Sequence, residues 1–178
     1  MTQITIQPSG AGATTECYPS TAPNWDCVNE IPAVDTDFVS EGPEGGDAAH
    51  DLYVTPASGV PTDSTINSVT VYFRIRRTGA GQVGVGASVA PQIRAIAQAI
   101  TTGSYLTCTT SWVNESQTWA TNPTTGIAWT VAEVNDLDIG VAISADSINW
   151  DGECSQVYAV ITYTAGVATR TDRFFKMF

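Results

Sequence analysis

Apolar and polar residues alternate with a period of two along much of the chain. In residues 66–77, Val69, Val71, Phe73 and Ile75 share one parity, and Ser68, Thr70, Tyr72, Arg74 and Arg76 share the other. That is the pattern of a half-buried antiparallel strand. In residues 154–163 both parities are largely apolar, Tyr158 and Val160 on one and Val157, Ala159 and Ile161 on the other. This predicts a strand in the middle of a sheet with something packed on each side. Shorter runs at 4–6, 51–54, 93–100 and 105–113 predict further strands. In Thr130-Val131-Ala132-Glu133 the spacing is that of a capping box, so a short helix near 130–137 is expected. Asn135, Asp136 and Asp138 are poor helix formers and stop it. Gly79, Gly81, Gly84, Gly86 and the Asn122-Pro123 pair mark turns. Eight to ten short strands, one connecting helix and no internal repeat predict an all-β fold: a two-sheet antiparallel sandwich, jelly-roll-like, over residues 1–165. Residues 166–178 follow as a separate C-terminal tail.

Composition narrows the class. A chain of 178 residues suits one domain, and 43% hydrophobic residues with five Trp, six Tyr and five Phe exclude wholesale disorder. No apolar run approaches the ~20 residues that span a bilayer. The opening MTQITIQPSGAG has neither a basic nor an apolar leader region, so no secretory signal is expected. The net charge of −11 is uneven: ten carboxylates precede the first basic residue, Arg74. So acidic a body repels phosphate backbones, and direct nucleic-acid binding is not expected. Three of the seven basic residues, Arg170, Arg173 and Lys176, lie in the tail.

The four cysteines are even in number and include no CxxC pair. Two disulfides are expected, Cys17 with Cys27 and Cys108 with Cys154; buried free thiols are the alternative. Metal ligation is disfavoured, because zinc sites bring ligands in close pairs and His50 is the only histidine. Asp35, Asp37 and Glu41 lack the oxygen spacing of a calcium loop.

Reactive constellations are sparse. His50 adjoins Asp51, but no GxSxG elbow supplies a nucleophile. Glu115, Glu133, Asp136, Asp138, Asp146, Asp151 and Glu153 offer carboxylates of the kind glycosidases pair, yet an acidic surface produces such pairs by chance. Arg74 and Arg76 read as partners for carboxylates across the sheet surface more readily than as an anion site. Trp112, Trp119, Trp129 and Trp150 suggest either core anchors or a stacking platform for sugars. No cofactor and no enzymatic activity are expected.

The order IQPSGAGATTECYPS, NWDCVNEIPAVDTDFVS, DLYVTP, STINSVTVYFRIRRTG, WATNPTTGIAWTVAEVNDLDIGV and CSQVYAVITY resembles an uncharacterised β-sandwich family found among bacteriophage structural proteins and prokaryotic or metagenomic surface proteins. The resemblance implies a structural or binding role at a particle or cell surface. Cys17, Cys27 and the tail are not features of that family. The tail carries Phe174, Phe175, Met177 and Phe178 among Arg170, Arg173 and Lys176, and is expected to bind a neighbouring subunit. The sequence thus reads as a non-enzymatic subunit of a virion, a head decoration or tail component. Its partners would be copies of itself and other virion proteins, with a surface glycan as a further partner. An extracellular filament subunit or adhesin and a carbohydrate-binding module are the alternatives.

Overall fold

The structure is a computed structural model and describes residues 1–41, 48–79, 86–95, 98–145 and 151–166. Its strands are β1 (Thr2–Ile6), β2 (Gly10–Thr15), β3 (Tyr18–Pro19), β4 (Val39–Ser40), β5 (Ala49–Val54), β6 (Thr65–Thr78), β7 (Ala87–Ala95), β8 (Thr101–Thr102), β9 (Leu106–Thr107), β10 (Val113–Trp119), β11 (Leu137–Ala145) and β12 (Asp151–Thr164). The one α-helix among the described residues, α1, spans Val131–Asn135. The first sheet runs β10-β6-β12-β4-β3, with β1 also on β12; the second runs β2-β5-β11-β7-β8, with β9 on β7. Every pairing is antiparallel. The order β10-β6-β12-β1 opposite β8-β7-β11-β5 is that of a jelly roll, as expected from the sequence.

The inner faces carry the apolar parity. Val69, Val71, Phe73 and Ile75 of β6 and Val157, Ala159 and Ile161 of β12 are buried with Val89 and Ile93 of β7 and Ile139, Val141 and Ile143 of β11. Each large side chain taken from water there contributes about 1.5–3 kcal/mol. The expected capping box is formed: Thr130 Oγ1 accepts from Glu133 N at 3.2 Å, and Glu133 Oε2 accepts from Thr130 N at 2.7 Å. The turn before it closes with Gly126 N donating to Asn122 O at 2.7 Å, with Gly126 at φ +73°. Only a residue without a Cβ adopts that angle freely.

Three expectations change. Residues 105–113 are not one strand: β9 ends at Thr107 and β10 begins at Val113, leaving Cys108 and Trp112 in the connection. The strand expected at 93–100 is β7, which starts at Ala87 and ends at Ala95, opposite Leu137, where its antiparallel partner β11 begins. The third concerns β12. It is central, but Tyr158, Val160 and Thr162 are only half-buried on its outer side, so in that half one face packs and the other meets solvent.

The two expected disulfides are also absent, and all four cysteines are free and buried. The Cys27 thiol donates to Thr21 O at 2.7 Å and the Cys154 thiol to Gln156 O at 3.3 Å, so each is engaged by a nearby carbonyl. Burial pushes Cys108 and Cys154 up to about 12. Burial, reinforced by the Asp51 charge, raises Cys17 further. These are inert neutral thiols.

No helix among the described residues is long and apolar enough to cross a membrane. The tail residues Arg170, Arg173, Phe174, Phe175, Lys176, Met177 and Phe178 lie outside the described residues, as do Trp150 and Asp146.

Candidate functional site

The antiparallel register of β10, β6 and β12 stacks the outward parity into cross-strand rows. Asn114 faces Arg74, which faces Gln156; Ser116 faces Tyr72, which faces Tyr158; Thr118 faces Thr70, which faces Val160. The Tyr72 and Tyr158 rings stack with centroids 4.9 Å apart and planes 6° from parallel. Such cross-strand aromatic pairs contribute roughly 0.2–1 kcal/mol to the sheet. Beyond them the Thr70 and Thr118 hydroxyls are 2.8 Å apart. Apart from Arg74 and Val160, these rows are therefore made of amides and hydroxyls around two phenol rings.

One end of this face is walled. A bulge in β12 between Cys154 and Gln156 breaks the alternation there. Ser155 Oγ donates to Asp35 at 3.2 Å, and Gln156 Nε2 donates to Glu30 O. Asp35 also takes two hydrogen bonds from Arg74, from Nε at 2.7 Å and from Nη2 at 2.8 Å. Arg74 Nη1 donates to Asn114 Oδ1 at 2.9 Å. These bonds pin the segment after Asn29 over the sheet, so that Ile31, Pro32 and Ala33 oppose Arg74, Asn114, Gln156 and Tyr158 across a surface cleft of about 330 Å³. Arg74 holds the Asp35 carboxyl below the usual carboxylate range. Burial, then the neighbouring Tyr72, pushes the Tyr158 phenol up, so it stays a hydrogen-bond donor.

Beyond the cleft, Arg76 pairs with Glu153 at 2.5 Å and lies 4.5 Å over the Trp112 ring, with Phe38 tilted against Trp112 at 6.5 Å. The expected ion pairing of both arginines across the sheet surface is what forms. Arg74 and Arg76 each already have their own carboxylate.

A second polar cluster lies under the loop that follows β2. Asp51, fully buried, accepts at Oδ1 from Glu16 N at 2.7 Å and Cys17 N at 2.9 Å, and at Oδ2 from Asn24 Nδ2 at 2.7 Å and the Tyr53 hydroxyl at 3.0 Å. Its neighbour His50 points elsewhere, with Nδ1 2.7 Å from Gln92 Nε2. Asp51 is thus a structural hub, and His50 does not share in it.

The remaining candidates disperse. Asp37 accepts from Ser20 and Thr21 while Asp35 serves Arg74, and among the described residues no cluster of three or more His, Cys, Asp or Glu could hold a metal ion. Asp138 pairs with Arg94. Burial works to raise Glu133, but hydrogen bonds from Thr130, Asn122 and Gln98 outweigh it and hold Glu133 below the usual range. Among the described residues the tryptophans do not form one platform: Trp119 and Trp129 are buried, with Trp129 Nε1 donating to Trp119 O at 3.1 Å, and Trp112 has Arg76 over its ring. The aromatic residues that meet on the open face are Tyr72 and Tyr158, which sequence reading did not pair. Their parity within each strand was legible; the register that brings them together was not.

No protein-family profile matches the chain, and no curated protein is similar to it. Among solved structures, a Stig cyclase from Fischerella sp. TAU in complex with an indole compound is similar at 12% identity and TM-score 0.47, covering 93% of this chain and 86% of that one. A family 61 carbohydrate-binding module in complex with β-1,4-galactotriose is similar at 12% identity and TM-score 0.42, covering 86% of each chain. The apo form of a cyclase from Fischerella sp. is similar at 10% identity and TM-score 0.43, covering 74% of this chain; the present chain spans 64% of its length, less than two thirds.

Proposed function

We propose that this protein is a non-catalytic binding module for a neutral glycan, and that the ligand lies on the outer face of the first sheet. The observation that carries this reading is the walled cleft at Tyr158, where a stacked tyrosine pair, two side-chain amides and an arginine converge on one surface. Sugar rings present apolar C–H faces and many hydroxyls. Aromatic rings and planar amides complement both, and well-placed polar groups on an apolar or aromatic ground are what small-ligand sites use. Neutrality follows from the charge pairing. Asp35 satisfies Arg74 and Glu153 satisfies Arg76, so an acidic ligand would have to displace a carboxylate in an already acidic protein.

The test is affinity electrophoresis and titration calorimetry against soluble neutral polysaccharides (xylan, galactan, mixed-linkage glucan, mannan), with alginate and pectin as charged controls. Saturable binding to a neutral polymer, reduced at least tenfold by Tyr158→Ala with the melting temperature held, is the expected result. Failure to bind every neutral polymer overturns the reading, as does binding that is indifferent to Tyr158→Ala and Tyr72→Ala. Placement on a virus particle or an extracellular filament rests on the sequence resemblance.

A further inference from the structure

The segment from Asn29 to Asp35 is a strap laid across the strands of the first sheet, tied to three of them in turn. Gln7, just past β1, donates from Nε2 to Asn29 O, and Gln156 of β12 donates to Glu30 O. Arg74 of β6 then donates to Asp35 from Nε at 2.7 Å and from Nη2 at 2.8 Å. At the start of β10 the barrier is continued by Trp112, whose ring centroid lies 5.9 Å from the Arg74 guanidinium and 4.5 Å from that of Arg76. The outer face is therefore blind at one end, from β1 across to β10. The other end is open and polar. Past the Tyr72–Tyr158 pair comes the row Thr118, Thr70, Val160 and Thr5, and then Ser68, Thr162 and Gln3. Gln3, Thr5 and Thr118 are exposed, while Ser68, Thr70, Val160 and Thr162 are half-buried. The Thr70 and Thr118 hydroxyls are 2.8 Å apart, and Gln3 Nε2 donates to Thr162 Oγ1 at 3.4 Å. A hydroxyl has one donor and two acceptor lone pairs, so each of these keeps capacity toward solvent.

We infer that the site takes the end of a glycan chain and not its interior. The terminal sugar lies in the cleft against the strap and Tyr158, and the units behind it leave along the strands, over the Thr70–Thr118 row toward Thr162. Direction follows from the space on each side. Along β6 the face extends about 20 Å from Arg74 to Ser68, whereas from β10 to β12 it measures about 10 Å, between the sheet edge on one side and the Gln7 tie on the other. A mid-chain stretch continues on both sides and would run into the strap. Chemistry at the blind end agrees, because a terminal unit carries a hydroxyl that an inner unit has lost to its linkage. Asn114 is exposed there, and with its Oδ1 taken by Arg74 Nη1 at 2.9 Å its Nδ2 is the donor for that hydroxyl. The inference rests on the glycan reading and adds the class of ligand: short or end-rich neutral oligosaccharides.

Titration calorimetry of the full chain tests it, using linear tri- to hexasaccharides of xylan, galactan, mixed-linkage glucan and mannan beside the parent polymers. For the carbohydrate that binds, one protein should be taken up per chain whatever the chain's length. Per gram, the hexasaccharide should bind at least tenfold more tightly than its parent polymer, since it supplies more ends. Thr118→Arg lays a long side chain over the open part of the track from an exposed position, and Thr5→Arg does so from the β1 side. Each should weaken the hexasaccharide at least tenfold and the trisaccharide less than threefold, with the melting temperature held. Stoichiometry that rises with chain length overturns this inference and leaves the glycan reading standing. Hexasaccharide affinity indifferent to both arginine changes does the same. No binding by any oligosaccharide or polymer overturns both.

Discussion

The Asp51 hub and the Tyr158 cleft are both polar clusters on strands of one sandwich, yet they are built for opposite ends. Around Asp51 each carboxylate oxygen takes two donors from the same domain, and the residue is fully buried. Nothing there is left to offer a ligand, and what the cluster supplies is the fixed path of residues 16–24 over β5. In the cleft, Arg74 and Asp35 are matched to each other, while Asn114 is exposed and Tyr158 half-exposed on an open surface. A polar group stabilises a fold when its partners are internal and binds when some of its capacity faces solvent.

That contrast breaks most visibly at Asp51. Asp51→Ala strands the N–H groups of Glu16 and Cys17 and the Asn24 amide in the interior, and is expected to cost about 3–5 kcal/mol in urea unfolding. A cost below 1 kcal/mol would show that water readily replaces the hub. Next in size, Glu133→Ala removes the capping box and the Asn122 and Gln98 contacts, and should cost about 1–2 kcal/mol in the same assay while leaving glycan binding unchanged. Tyr158→Ala should do the reverse: at least a tenfold loss of affinity by calorimetry, with a stability cost of about 1 kcal/mol or less.

The pH dependence separates the regions further. Asp35 has a depressed folded pKa, so its contribution is present above the unfolded carboxylate value near ~4 and is lost as pH falls through the lower folded value. Exchange of residues 29–38 should stay slow at pH 5 and rise only below pH ~4, and Asp35→Asn should remove that step. The smallest effect concerns the thiols. Their folded pKa values are raised, so their contribution is complete below the unfolded thiol value near ~8.5 and is lost as pH rises toward 12. Melting temperature should decline above pH ~9, and iodoacetamide should label the native protein at pH 8 far more slowly than the unfolded chain.

Much of the scaffold was legible in the chain because its signals are local. The period of two in β6 needs only neighbouring residues, and the capping box of α1 needs four in a row. The β12 pattern was half misread for a related reason: Tyr158 and Val160 count as apolar in a list, but one side of that strand forms the open face. Cysteine pairing failed because an even count says nothing about distance, and carbonyls close in sequence engaged Cys27 and Cys154. Of the tryptophans singled out for their size, Trp119 and Trp129 went into the core, where a large apolar surface is best placed.

By itself the sequence determined the all-β class, the jelly-roll-like sandwich, the short helix and the inward parity of β6. Each follows from hydrophobic alternation and short-range backbone chemistry, which do not depend on what lies across the sheet. Only the tertiary structure decided that Tyr72 meets Tyr158, that Asp35 closes on Arg74 from 39 residues away, and that Asp51 is a hub. Those contacts depend on strand register and on where a distant loop comes to rest, and many registers satisfy the same alternating pattern.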